Sequence, residues 1–249
     1  MLADLLRGAG LLFQGFALLR RPGIRRYAFA PMILAGVALA LVVALAANAF
    51  TPVVEWLHAF LPAWLQWLEA VLWILFAAGV ALGLVLLYAT VAGLVAAPFN
   101  GLLAAAVEAQ QTGRPPPDEG WRAALLGLPR TLVSEASKVL YALAWTLVAL
   151  LLFVIPGVNV VAPAFWLLST AWILAFSFAD YALSNHRISL RQSRALLRRR
   201  RGLALGFGGA VTACFAVPIL NVLALPAAVC GGALLALQVR QGPAGVEPA

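Results

Sequence analysis

The chain has 249 residues, 64% of them hydrophobic and only 10% charged, where an ordinary soluble domain carries about a quarter charged residues; a fold solvated by water on every side is excluded. Seventeen basic residues, sixteen of them arginine, against nine acidic ones give a net charge of +8. They lie in short loops between apolar runs, so they read as the positive-inside bias of a membrane protein and not as a nucleic-acid surface.

In the first twenty residues Leu2, Leu5, Leu6, Ala9, Leu12, Phe13, Phe16 and Leu19 recur at helical spacing. That pattern predicts an amphipathic helix over 1–21, lying at the membrane interface. Four later stretches, 28–52, 70–107, 139–179 and 202–239, contain no Asp, Glu, Lys, Arg or His. Each exceeds the roughly 20 apolar residues that cross a hydrocarbon core of about 30 Å. The first predicts a transmembrane helix over 26–50, stopped at Thr51-Pro52. A periplasmic loop over 51–69 follows, with Glu55, His58 and Glu69 but no Lys or Arg, and Trp56, Trp64, Trp67 and Trp73 anchoring at the headgroups. A second transmembrane helix is expected over 70–99, broken at Pro98-Phe99-Asn100-Gly101. Residues 100–138 mix charged and apolar side chains around Pro115-Pro116-Pro117. They read as amphipathic cytoplasmic helices, with Asp118 as an N-cap and Pro129 as a kink.

The two remaining apolar runs, 139–179 and 202–239, each contain the unit P-x-x-N-V, at Pro156–Asn159 and Pro218–Asn221. This internal repeat divides each run into arms of about 16 to 18 residues, roughly 24 to 27 Å long. Each run is then a tight hairpin of short spans or a hairpin that penetrates only partway, and its turn lies at the far interface or lines a cavity. A basic segment over 180–201 separates the hairpins, and a tail over 240–249 follows them. With the basic loops on one side, both termini are expected in the cytoplasm. The whole chain, 1–249, reads as one all-α membrane domain.

Several features bear on chemistry. In Arg21-Pro22-Gly23-Ile24-Arg25-Arg26 the proline and glycine end one helix, so the amides of Gly23, Ile24 and Arg25 fall at the start of the next. A helix start beside two guanidinium groups suits a tetrahedral oxyanion, although the same arginines would equally anchor the first span. Arg130, Ser134 and Lys138 recur at i, i+4 and i+8, with Glu135 in reach of Lys138. If that face looks into the bundle, these groups mark an ion path together with Asn100, Glu108, Asp180, Asn185 and His186; if it looks at water, it is an ordinary cytoplasmic surface. Arg191, Arg194, Arg198 and Arg201 form a stripe suited to anionic lipid headgroups. Cys214 and Cys230 lack metal or CxxC spacing and read as small hydrophobes. With no HExxH, P-loop, kinase or GxSxG pattern, no metal, cofactor, ATPase or enzyme activity is expected.

The breaks carry a resemblance. PGIRR at 22–26, WLQWL at 64–68, APFNGLL at 97–103, PPD at 116–118, PR at 129–130, IPG at 155–157, DY at 180–181 followed by NH at 185–186, PILN at 218–221 and PAAVCG at 226–231 together resemble the CysZ family of bacterial sulfate permeases. The family's DYPxDNH pattern stands here as DYALSNH. The resemblance implies a multi-pass protein of the bacterial inner membrane that takes up sulfate for cysteine biosynthesis. It further implies two long transmembrane helices plus hemi-penetrating hairpins, a homo-oligomer, sulfate held by Gly23, Ile24, Arg25 and Arg26, and a conduction path lined by charged residues. The competing reading is a membrane organiser or regulatory partner of another transporter that moves no solute itself.

Overall fold

A computed structural model describes residues 1–60, 69–114 and 121–241, though not every side chain of the helices within 31–132 and 218–222. The loop at 61–68, the Pro115-Pro116-Pro117 break with Asp118, and the tail from 242 lie outside the described residues, as do the side chains of Glu55, Trp56, His58, Trp73, Pro129, Arg130 and Asn221. Eight helices follow one another among the described residues: α1 (Leu2–Leu18), α2 (Pro22–Phe60), α3 (Glu69–Thr112), α4 (Trp121–Val154), α5 (Ala162–Asn185), α6 (Leu190–Arg199), α7 (Arg201–Phe215) and α8 (Pro218–Gln241).

The chain divides into two compact units. Residues 29–97 form one, and 1–28 with 98–249 form the other. The first consists of helical stretches of α2 and α3 that present apolar side chains such as Ile33, Val37, Leu41, Ile74 and Leu82 to their surroundings. Both helices run on through expected stops: α2 continues past Pro52 to Phe60, and α3 past Pro98 to Thr112. A proline removes one N–H donor, whereas ending a helix in an apolar medium strands several backbone groups, so continuation costs less. Gly113, with φ +69°, ends α3 by donating its amide to the Ala109 carbonyl.

The second unit is a bundle in which α1, α5, α7 and α8 pack on one another. Lipid tails are as apolar as leucine, so hydrophobicity alone does not drive helices together; close approach of small residues does. A Cβ on Gly8 would fall on the Leu203 carbonyl of α7, one on Gly15 on the Ala227 carbonyl of α8, and one on Gly206 on the Leu5 carbonyl. The same holds for Gly208 against Ala171, where α7 crosses α5. Leu11, Leu12 and Leu18 fill the spaces between these contacts, while Leu2, Leu6 and Phe13 stay exposed. The amphipathic α1 thus has one face against the bundle and apolar side chains left for an interface. Cys230 lies in the buried part of α8, and both cysteines are free thiols.

The proline-split runs are two different hairpins. Val133–Val154 and Ala162–Asn185 have 22 and 24 residues, about 33 and 36 Å. Both outlast the expected short arms, because the helices continue through Glu135, Lys138 and Asp180. Their turn contains Pro156 and Asn159, has Gly157 at φ +83°, and is exposed throughout 155–161. Rings interlock across this hairpin, with Tyr141 edge-on to Phe176 at 5.8 Å and Trp145 beside Phe165 at 5.6 Å. In the second hairpin α7 has only 15 residues, about 22 Å, too short for a full crossing. Pro218 opens α8, so Asn221 lies inside that helix and not in the turn.

Candidate anion site and a buried charge network

Between α1 and the opening stretch of α2, residues 22–30, the chain bends by 93°. Pro22 opens α2, where its missing donor costs nothing, and fully buried Ile24 pins the corner into the bundle. Gly23, Arg25 and Arg26 are exposed. The sequence reading offered the amides of Gly23, Ile24 and Arg25 as free donors at this helix start, but those of Ile24 and Arg25 are taken: both donate to the Arg21 carbonyl, at 3.1 and 3.0 Å. The turn before α2 folds tightly enough for Arg21 to satisfy them, which leaves the Gly23 amide as the available backbone donor. No carboxylate among the described residues pairs with Arg25 or Arg26; the Arg26 guanidinium instead lies 4.8 Å from the centre of the Tyr27 ring. One neighbour escaped the sequence reading. Gln110 of α3 accepts a 3.4 Å hydrogen bond from Arg21, and its Nε2 lies 3.1 Å from where a Cβ on Gly23 would be.

Two residues before Gln110, Glu108 is buried at 4% exposure. Its Oε1 receives Arg240 Nη1 from the last turn of α8 and His186 Nε2 from the C-cap of α5, each at 2.7 Å. Next to His186, Asn185 donates to the Gly101 carbonyl at 3.0 Å, tying the end of α5 to α3. The turn that aims His186 is a Schellman motif: Arg187 donates to the Ser184 carbonyl and Ile188 to that of Leu183. Arg187 itself sits at φ 57°, a conformation costing a non-glycine residue about 1–2 kcal/mol.

A second cluster forms where α4, α5 and α6 meet. Lys138, 6% exposed, lies 2.8 Å from Glu135 and 3.1 Å from Asp180 Oδ2, an approach to Asp180 that is close but not aligned as a hydrogen bond. Asp180, 1% exposed, accepts a 3.0 Å hydrogen bond from buried Ser193 through its other oxygen. The Lys138 ammonium also lies 4.4 Å from the centre of the Tyr181 ring, and Tyr181 is within hydrogen-bonding reach of Asn100. A buried charge is costly unless paired and hydrogen-bonded, and here each has such a partner. The stripe through Lys138 therefore looks into the bundle at that residue.

Asn100, Glu108, Glu135, Lys138, Asp180, Asn185 and His186 thus gather in the same unit as the Gly23–Arg26 corner. Arg240, Ser193 and Gln110 were missed, because nothing local distinguishes them from other basic or polar residues near a membrane. Residues 11–226 match the family described as "Sulfate transporter CysZ/Etoposide-induced protein 2.4". The chain is also 37% identical over 236 residues to "Sulfate transporter CysZ" of Pectobacterium atrosepticum, an alignment covering 92% of this chain and 83% of that protein. The chain belongs to this family. The PGIRR, APFNGLL and NH segments fall within the matched residues, at the corner, on α3 and at the end of α5, where the polar groups gather. The family's description is that of a transporter and not of an enzyme.

Proposed function

We propose that the chain admits sulfate through the bacterial inner membrane as a multi-pass channel or permease without its own ATPase, supplying sulfate assimilation and cysteine biosynthesis. The observation that carries this reading is the 37% identity, along 92% of the chain, to a protein called a sulfate transporter. The exposed pair Arg25 and Arg26, at a helix corner where no carboxylate among the described residues neutralises it, supports the corner as the point of first contact. There the Gly23 amide and the two guanidinium groups hold the dianion, and Ile24 serves by anchoring the turn. Asn100, Glu108, Glu135, Lys138, Asp180, Asn185 and His186 line the way onward. The protein works as a homo-oligomer in a bilayer with anionic headgroups, a reading supported by the exposed apolar face of α4, including Leu140, Leu143 and Leu147, and by the basic α6.

The test is uptake of radiolabelled sulfate into liposomes holding the purified protein, with chloride as competitor and an Arg25→Ala, Arg26→Ala double variant alongside. Wild-type uptake that falls at least tenfold in the variant, while the variant still inserts, is the expected result. Well-folded wild-type protein that admits no sulfate would instead favour the non-transporting organiser or regulatory partner.

A further inference from the structure

We infer that Arg240 and His186 form a second anion site, for a tetrahedral oxyanion, which the Glu108 carboxylate occupies in the resting protein; the inference rests on the reading of the chain as a sulfate permease. Glu108 is a poor fit for its own clamp. Both donors converge on Oε1 at 2.7 Å, while Oε2 is buried and accepts no hydrogen bond among the described residues. A pair selected for stability alone would engage both oxygens, as a bidentate guanidinium does, and would leave no buried acceptor empty.

Exposure points the same way. Arg240 and His186 keep 33% and 23% of their side-chain surface accessible, whereas Glu108 keeps 5%. The donors can therefore be approached by a solute, with the carboxylate behind them. His186 Nε2 facing a carboxylate carries a proton in either of its charge states that make this contact, and Arg240 is always charged. A sulfate has four oxygens over which to distribute these donors and twice the charge of the carboxylate. The two anions repel each other at contact distance, so the donors hold one or the other. Glu108 then acts as a built-in competitor that keeps Arg240 and His186 from retaining the permeating ion.

The experiment measures binding of radiolabelled sulfate to detergent-solubilised full-length protein in which Arg25→Ala and Arg26→Ala have removed the corner. If Glu108 holds the donors about nine-tenths of the time, adding Glu108→Gln tightens sulfate binding about tenfold, and further adding Arg240→Ala abolishes the gain. Unchanged binding in a monodisperse, helical Glu108→Gln protein overturns the proposal, and so does a gain that survives Arg240→Ala. Should Glu108→Gln fail to fold, Glu108→Asp, which keeps the charge but shortens the reach, is expected to tighten binding in the same direction, and no tightening overturns the proposal. Because binding is read in detergent, a failure here is distinct from failure of the permease reading, which shows as absent uptake by wild-type liposomes.

Discussion

Lys138 illustrates how a single residue takes its role from partners it cannot choose by itself. In water its pairing with Glu135 three residues earlier would be worth a few tenths of a kcal/mol. Buried at 6% exposure with Asp180 at 1%, the ammonium and carboxylate instead depend on each other. Removing Asp180 by Asp180→Ala leaves Lys138 with Glu135 alone and Ser193 without its acceptor. The expected loss is about 3 kcal/mol, at the low end for breaking a buried pair because Glu135 remains. A fall in the thermal midpoint of the detergent-solubilised protein checks it; a midpoint unmoved by the substitution contradicts the pairing. In a double-mutant cycle with Lys138→Ala the two substitutions should couple by about 1 kcal/mol or more. The sequence showed the Lys138–Glu135 spacing plainly, since it lies within one turn. Asp180, 42 positions further on, was legible only as a polar residue at the end of an apolar run.

For elements, glycine placement decides the packing of α1. Gly15 sits against the Ala227 carbonyl, and Gly10, on the same helix, has no atom within 4 Å of where its Cβ would be. Gly15→Ala should therefore force α1 away from α8 and cost about 1–3 kcal/mol. Gly10→Ala should gain about 0.5–1 kcal/mol from its lower chain entropy in a helix. Opposite shifts of the thermal midpoint in the two variants are expected, and equal shifts would mean that the close approach does not hold α1 in place. At the start of α6, Ser189 caps the Gln192 amide and the Gln192 side chain returns a bond to the Ser189 amide. Ser189→Ala is expected to cost about 1 kcal/mol, with amide exchange increasing first in 190–193. The spacing Ser189 to Gln192 is that of a capping box, though the sequence reading did not single it out. The contacts of the α1 glycines were not legible, because an amphipathic pattern says which face is apolar but not what that face meets.

At the scale of the whole molecule, the distribution of arginine makes its own prediction. By the positive-inside rule the basic segments at 20–26, 114–138 and 187–201 are expected on the cytoplasmic side, so reporters fused to the N- and C-termini should both read cytoplasmic. A periplasmic signal from either terminus would refute this arrangement. Composition by itself determined that the chain is an all-α membrane protein, because uncharged runs of that length have no stable place in water and must bond their backbones internally in lipid. The motifs at the helix breaks likewise carried the family and the Gly23–Arg26 corner, since turns impose local rules that are written in adjacent residues. Only the tertiary structure decided that Arg240 meets a carboxylate 132 positions away, that the Ile24 and Arg25 amides are already bonded, and that one hairpin has two long arms while the other has a short one. The Arg240–Glu108 pair and the lengths of the arms are settled by packing between segments that the order of residues does not bring together, and the amide bonds to Arg21 by how tightly the turn at 21–25 closes, which the same residues allow in more than one backbone conformation.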